Sequence, residues 1–96
     1  MKFVKNHNMT KDVAKATIER LVSSLMQQFG GGVTDSRYAW HADVMQFSGR
    51  KVVFNVAGTL EVNDAELILD VDGIPFFAAG KVRSEIERWF DENWPP

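Results

Sequence analysis

The chain has 96 residues, the length of one domain, and 45% of them are hydrophobic and 25% charged. A disordered chain would need lower hydrophobicity and a higher net charge, so these proportions indicate a folded globular domain over residues 1–96. Thirteen acidic and 11 scattered basic residues leave a formal charge of -2, which gives no electrostatic case for binding a phosphate backbone and predicts no nucleic-acid binding. The absence of cysteine excludes disulfides, a thiolate nucleophile and thiolate zinc ligands.

No targeting or membrane-spanning segment is visible in the sequence. The first seven residues contain no apolar stretch long enough for a signal peptide. The longest apolar run is far shorter than the roughly 20 residues that cross a bilayer. The sequence therefore predicts a cytoplasmic protein without a transmembrane segment.

The first elements are a short β-like run over residues 2–5, a turn and a long helix. Thr10 can cap this helix, because its hydroxyl can accept a hydrogen bond from a free amide of the first turn. Gly30-Gly31-Gly32 ends the helix, since glycine adopts a left-handed C-cap at little cost. Apolar residues at three- and four-residue spacing form its buried stripe. The stripe consists of Val13, Ala14, Ile18, Leu21, Val22, Leu25, Met26 and Phe29.

The middle of the chain changes to a two-residue period, which predicts about four antiparallel strands. His41-Ala42-Asp43 is short enough for a tight hairpin, and Asn63-Asp64 and Asp72-Gly73-Ile74-Pro75 supply later turns. Gly58 interrupts one apolar row, where a glycine often marks a bulge or a bend. The alternating residues are Tyr38 and Trp40, then Met45 and Phe47, then Val52, Phe54, Val56, Leu60 and Val62, then Leu67, Leu69 and Val71.

A second amphipathic helix closes the chain before Pro95-Pro96, which cannot extend it. Its predicted stripe consists of Val82, Ile86, Trp89, Phe90 and Asn93. Two amphipathic helices and an alternating sheet bury all their apolar surfaces most simply when both helices pack on one face. The sequence predicts an α+β fold with a four-stranded antiparallel sheet, or a five-stranded one if residues 2–5 join it.

No catalytic or metal-binding constellation is visible. His41-x-Asp43 would place two ligands on one face of a strand, but no third ligand follows at a suitable spacing. A polar pair framing the hairpin is the favoured interpretation. His7 stands alone before the first helix, where hydrogen bonding is expected rather than catalysis.

The remaining polar motifs also lack the context of an active site. Asp70 and Asp72 alternate with apolar residues, which predicts that they lie on the solvated face of a strand. No serine stands in a Gly-x-Ser-x-Gly turn, and the glycines at residues 30–32 lack the lysine and hydroxyl residue of a phosphate loop. The sequence predicts no enzyme, no cofactor and no metal.

The uncharged segment over residues 74–80 lies at a strand-to-helix junction, and Trp94 lies near the end of the chain. Most aromatic residues are expected in the core, because a small domain needs large side chains to bury enough surface. Apolar side chains exposed at these two places would instead mark a contact with a partner, a lipid or a polymer. The predicted contact surface consists of Ile74, Phe76, Phe77 and Trp94.

Several patterns together resemble the polyhydroxyalkanoic acid system family, small bacterial proteins encoded near polyester-granule genes. The resemblance runs nearly end to end. Its motifs are His7-Asn8-Met9-Thr10-Lys11-Asp12-Val13-Ala14, Tyr38-x-Trp40-x-x-Asp43-x-Met45-x-Phe47, Val56-x-Gly58-x-Leu60-x-Val62 and Val82-x-x-x-Ile86-x-x-Trp89-Phe90. The chain departs from the family after Asp72, where Ile74-Pro75-Phe76-Phe77 replaces a leucine-rich stretch. The resemblance implies a bacterial cytoplasmic accessory protein at or near granules, without an enzymatic activity.

Three functions fit these observations, and a further alternative, an enzyme that uses His41, Asp43 or Asp70, would require strongly shifted pKa values in a cleft. The first is a non-enzymatic accessory protein that contacts a hydrophobic granule surface or a granule protein. The second is a carrier of an acyl chain in a cavity between sheet and helix. Its lining would include Met26, Phe47, Phe54 and Trp89. The third is a structural subunit of a larger assembly, and free edge strands would allow a homodimer by strand pairing.

Overall fold

The chain folds as a strand, a helix, four strands and a second helix. The computed structural model describes residues 1–29, 33–51 and 54–95. The elements are β1 (Lys2–Asn6), α1 (Lys11–Phe29), β2 (Val33–His41), β3 (Val44–Lys51), β4 (Phe54–Val62), β5 (Glu66–Asp72) and α2 (Phe76–Asn93). The predicted α+β class is confirmed, and the run at residues 2–5 is a fifth strand of the sheet. The predicted helix end at Gly30-Gly31-Gly32 and the row member Val52 lie outside the described residues.

The sheet is antiparallel throughout, in the order β1-β5-β4-β3-β2. Strands β2 to β5 form a meander, and β1 joins it beside β5 with Phe3 opposite Leu69. Directly opposed residues of neighbouring strands share a face of the sheet. One apolar row therefore crosses all five strands on one face, and it consists of Trp40, Met45, Leu60, Leu69 and Phe3.

Both helices pack on the face that carries this row, as the sequence predicts. The Phe3 ring stacks on the Phe90 ring of α2 with 5.5 Å between centroids. The buried helix residues in the common core are Ala14, Ile18 and Val22 of α1 and Ile86, Trp89 and Phe90 of α2. Val13 is predicted in the stripe of α1 but is 52% exposed, so that part of the prediction is wrong. Asn93 does not belong to the stripe as predicted, because it is exposed and its amide donates to the Trp89 carbonyl at 2.9 Å. The opposite face of the sheet is open to solvent, with exposed polar residues such as Lys2, Gln46 and Asp70.

Gly58 marks a close contact and not the expected bulge. The pairing runs without interruption through Phe47, Gly58 and Val71. A Cβ at Gly58 would collide with the Asp70 carbonyl oxygen and would lie 2.7 Å from Cζ of Phe47, so the missing side chain makes room for the backbone of β5 and for that ring. The bulge lies in β2 between Thr34 and Arg37.

The predicted cap and turns are present. Thr10 Oγ1 accepts a hydrogen bond from the Val13 amide at 3.3 Å, at the first turn of α1. Ala42 and Asp43 form the two-residue connection between β2 and β3, with Ala42 at φ 54°. The Asn63 amide donates to the Glu66 carbonyl at 2.8 Å in the turn between β4 and β5.

Candidate functional site: an exposed aromatic turn

The chain leaves β5 through a turn that sets the start of α2. Gly73 has φ 91°, and a Cβ there would collide with the Asn55 carbonyl, so the turn requires glycine. Ile74 then packs against the core and anchors the chain. Pro75 occupies the N-cap of α2 in an extended conformation, and no side chain caps the helix. The first helical residues therefore follow directly from a fixed, apolar turn.

Phe76 and Phe77 form the first turn of α2 and point into solvent. Their side chains are 91% and 80% exposed, respectively. Phe77 precedes the buried Ile86 by nine residues, which rotates it about 180° from the core side of the helix. The two rings meet edge to face with 5.8 Å between centroids, so they form one apolar surface, which we call the aromatic turn.

The other two predicted contact residues are placed differently. Ile74 is half-buried behind the aromatic turn. Trp94 is half-buried at the opposite end of α2, where its ring lies 6.0 Å from that of Phe90 and its Nε1–H donates to the His7 carbonyl at 3.2 Å. Phe76 and Trp94 are separated by 18 residues, or about 27 Å along a helix. The fold brings Phe76 and Phe77 together, places Ile74 against the core and holds Trp94 at the other end of the helix.

The two histidines have the polar roles that the sequence predicts. His7 is fully buried, with Nε2 2.7 Å from the Asn63 carbonyl and Nδ1 accepting from the Met9 amide at 3.2 Å. These partners require a proton on Nε2 and a lone pair on Nδ1. His41 is exposed at the hairpin. Neither imidazole stands in a described cluster of further ligands or nucleophiles.

The carboxylates of the predicted motifs serve as ion-pair partners or lie in solvent. Asp43 contacts Lys11 at 3.1 Å and Lys15 at 3.8 Å. The hydrogen bond and the charge of Asp43 raise the pKa of Lys11 above its usual value. Asp70 and Asp72 are exposed. In the described part of the chain, no three or more histidine or carboxylate side chains are grouped to hold a metal ion.

A polar network between α1 and β2 has no signal in the sequence. Glu19 accepts hydrogen bonds from Trp40 Nε1–H at 2.5 Å and from the Tyr38 hydroxyl at 3.3 Å. The Glu19 charge raises the pKa of Tyr38. The Lys15 ammonium lies 5.0 Å from the centre of the Trp40 ring. These contacts fasten the first helix to the edge of the sheet, which is a structural role.

The structure describes the side chains of two of the four residues predicted to line an acyl cavity, Phe47 and Trp89, and the cavity stays a prediction. Phe47 lines an open depression of about 610 Å³ that also includes Arg37, Gln46, Ser48 and Asp72. Trp89 is not part of that lining, because it is buried in the core against Phe90. The side chains of Met26 and Phe54 lie outside the described residues.

The two free edges of the sheet carry features that disfavour the addition of another strand. The outer strand β1 carries Lys2 and Lys5, and β2 carries the bulge between Thr34 and Arg37. Lysines and bulges on edge strands oppose pairing with other chains. A homodimer by strand pairing stays a prediction, and the aromatic turn is the stronger candidate for a contact surface.

Comparisons with known proteins return one family. A family model described as "Putative polyhydroxyalkanoic acid system protein" matches residues 1–93. No curated protein and no solved structure matches the chain. Neither helix, over the residues described, is both long and apolar enough to cross a membrane.

Proposed function

The chain belongs to the polyhydroxyalkanoic acid system family, and we propose that it is a non-enzymatic cytoplasmic accessory protein that binds the apolar surface of polyester granules. The aromatic turn is the contact. The observation that carries the proposal is the exposure of two adjacent phenylalanines, 91% for Phe76 and 80% for Phe77. Neither ring is needed in the core, which is filled by other side chains of α2.

The size of this apolar surface sets the affinity that it can supply. Moving a fully exposed phenylalanine out of water is worth about 1.5–3 kcal/mol. The two rings together can therefore supply roughly 3–6 kcal/mol when a surface covers them. That is a difference of about 100- to 10,000-fold in a binding constant.

The proposal assigns no reaction to the protein. The buried imidazole of His7 is occupied by two backbone partners, and the carboxylates of Asp70 and Asp72 lie in solvent. A catalytic carboxylate pair would need burial that separates the two pKa values. The described residues thus support a contact function better than a chemical one.

Sedimentation with protein-free polyhydroxybutyrate particles tests the proposal. We expect the native chain to bind and the double variant Phe76→Gln/Phe77→Gln to bind about 100-fold more weakly or not at all. Val13→Gln is the matched control, because Val13 is a 52% exposed apolar residue on the other helix. All three proteins should unfold at similar temperatures, since these side chains are not buried. Failure of the native chain to bind, or full binding by the double variant, would refute the proposal.

A further inference from the structure

The charges of α2 are divided between its two halves. Residues 76–84 contain two cations, Lys81 and Arg83, and no acid. Residues 85–93 contain four acids and one cation, and these are Glu85, Glu87, Asp91, Glu92 and Arg88. The half that carries the aromatic turn is therefore positive, although the whole chain has a formal charge of -2.

The stability of the helix does not account for this division. The helix dipole favours acids in the first turn and bases in the last turn. The first turn of α2 has no acid and its last turn has no base. The first turn carries no charged residue, and the dipole effect fades within that turn, so the dipole does not explain why the cations of α2 precede its acids.

Lys81 is the cation best placed to meet an external charge. It follows Phe77 by four residues, so the two side chains lie on the same side of the helix one turn apart. Lys81 is exposed. Arg83, in contrast, is engaged within the protein, because it donates to the Lys2 carbonyl and lies 3.3 Å from Glu87.

Other charged groups at this end of the molecule do not make the surroundings of the aromatic turn negative. The N-terminal ammonium of Met1 is tied to the Val71 carbonyl at 2.8 Å, next to the end of β5. Asp70 lies opposite Lys2 in the sheet, on the face away from the helices. Asp72 lies on that same open face, because it alternates with the buried Val71 along β5. The two acids therefore point away from α2.

We infer that the aromatic turn docks end-on into a lipid surface that carries acidic headgroups. Phe76 and Phe77 enter the apolar layer, and Lys81 lies at the level of the headgroups. Lys81 is about 6 Å from Phe77 along the axis, whereas Glu85 is about 12 Å away and the later acids are farther. The screening length at physiological salt is about 8 Å. The surface therefore attracts Lys81 at the headgroup level, repels Glu85 more weakly at about 6 Å beyond it, and has little effect on Asp91 at about 15 Å.

The exposed side of the helix supports the end-on orientation. After the aromatic turn, that side continues with Gly80, Ser84, Arg88 and Asp91, all of which are exposed. A helix that lies flat in an interface needs an apolar stripe along its length. The only apolar stripe of α2 beyond its first turn is the one buried in the core.

This inference rests on the proposed function, and vesicles test it separately. Binding is measured to protein-free polyester particles, to phosphatidylcholine vesicles, and to vesicles in which about one third of the lipid is phosphatidylglycerol. We expect the native chain to bind the acidic vesicles more tightly than the neutral ones. Lys81→Gln should bind acidic vesicles about fivefold more weakly than the native chain, and it should bind neutral vesicles equally well. The preference should vanish at about 0.5 M salt.

Two variants complete the test. Arg88→Gln removes an exposed cation about 16 Å from Phe77, and we expect it to bind like the native chain. Phe76→Gln/Phe77→Gln should lose binding to both kinds of vesicle. Equal binding of the native chain to neutral and acidic vesicles, or binding to polyester alone, overturns the inference and leaves the proposed function standing. Binding to none of the three surfaces rejects both.

Discussion

Replacement of His7 tests how much stability one buried side chain provides where it joins two turns of the fold. The imidazole is fully buried between the turn after β1 and the turn after β4. Its Nε2 lies 2.7 Å from the Asn63 carbonyl, and its Nδ1 accepts from the Met9 amide at 3.2 Å. His7→Ala removes both hydrogen bonds and leaves a cavity.

The expected loss of stability follows from these contacts. Each buried partner left unpaired costs about 1–1.5 kcal/mol, at the low end for groups that are only partly buried. The lost packing of the ring adds about 1–2 kcal/mol. The total of roughly 3–5 kcal/mol is a large part of the 5–10 kcal/mol typical of a domain of this size. We expect the midpoint of thermal unfolding to fall by about 15 °C or more.

Two further variants separate the bonds. The side-chain carbonyl of an asparagine at position 7 can occupy the place of Nδ1, so His7→Asn should keep the hydrogen bond from the Met9 amide. The Gln amide can reach the place of Nε2, so His7→Gln should keep the bond to Asn63. In urea unfolding, His7→Asn and His7→Gln should have free energies of unfolding between that of the native chain and that of His7→Ala. A loss below about 1 kcal/mol for His7→Ala would refute the reasoning. Equal losses for all three variants would mean that packing alone matters.

Two other changes probe the stability of α2 and of the contact between α1 and the β2–β3 hairpin. Gly80→Ala should stabilise the protein by about 0.5–1 kcal/mol, because a Cβ there meets open space and alanine is the better helix former. A lower melting temperature in calorimetry would contradict this. The pKa of Lys11 is raised by Asp43, so their pairing stabilises the fold fully below the unfolded-state pKa of about 10.5 and is lost as the pH rises through the folded-state value. Asp43→Asn should therefore lower the free energy of unfolding at pH 7, and it should lose less further stability than the native chain between pH 7 and pH 11. The same pH dependence for both proteins in urea titrations would count against the pair.

The elements could be predicted from the sequence because their signals are local. The stripe of α1, the Thr10 cap and the alternation along β5 each depend on residues within a few turns of one another. The hairpin at Ala42 and Asp43 likewise follows from two adjacent short apolar rows. Period and turn chemistry are sufficient for such features.

Features that depend on distant contacts could not be read in this way. Gly58 is compatible with a bulge or with a close neighbour, and only the register of β3 against β4 places Phe47 over it. The bonds from Glu19 to Trp40 depend on how α1 lies across the sheet. The sequence identifies the apolar segment at residues 74–80 as unusual, but the direction of its side chains depends on where the helix begins.

The start of α2 has three features that local sequence preferences disfavour. No side chain caps it, Gly80 follows within its second turn, and two phenylalanines stand in water. Proteins usually break local rules where a site is placed, and elsewhere local preference and fold agree. If this turn serves the fold alone, Gly80→Ala should raise stability and leave vesicle binding unchanged. If the turn enters a surface, the added methyl group extends the apolar area beside the inserted rings, so the more stable variant should also bind vesicles more tightly, and weaker binding would count against a contact at this turn.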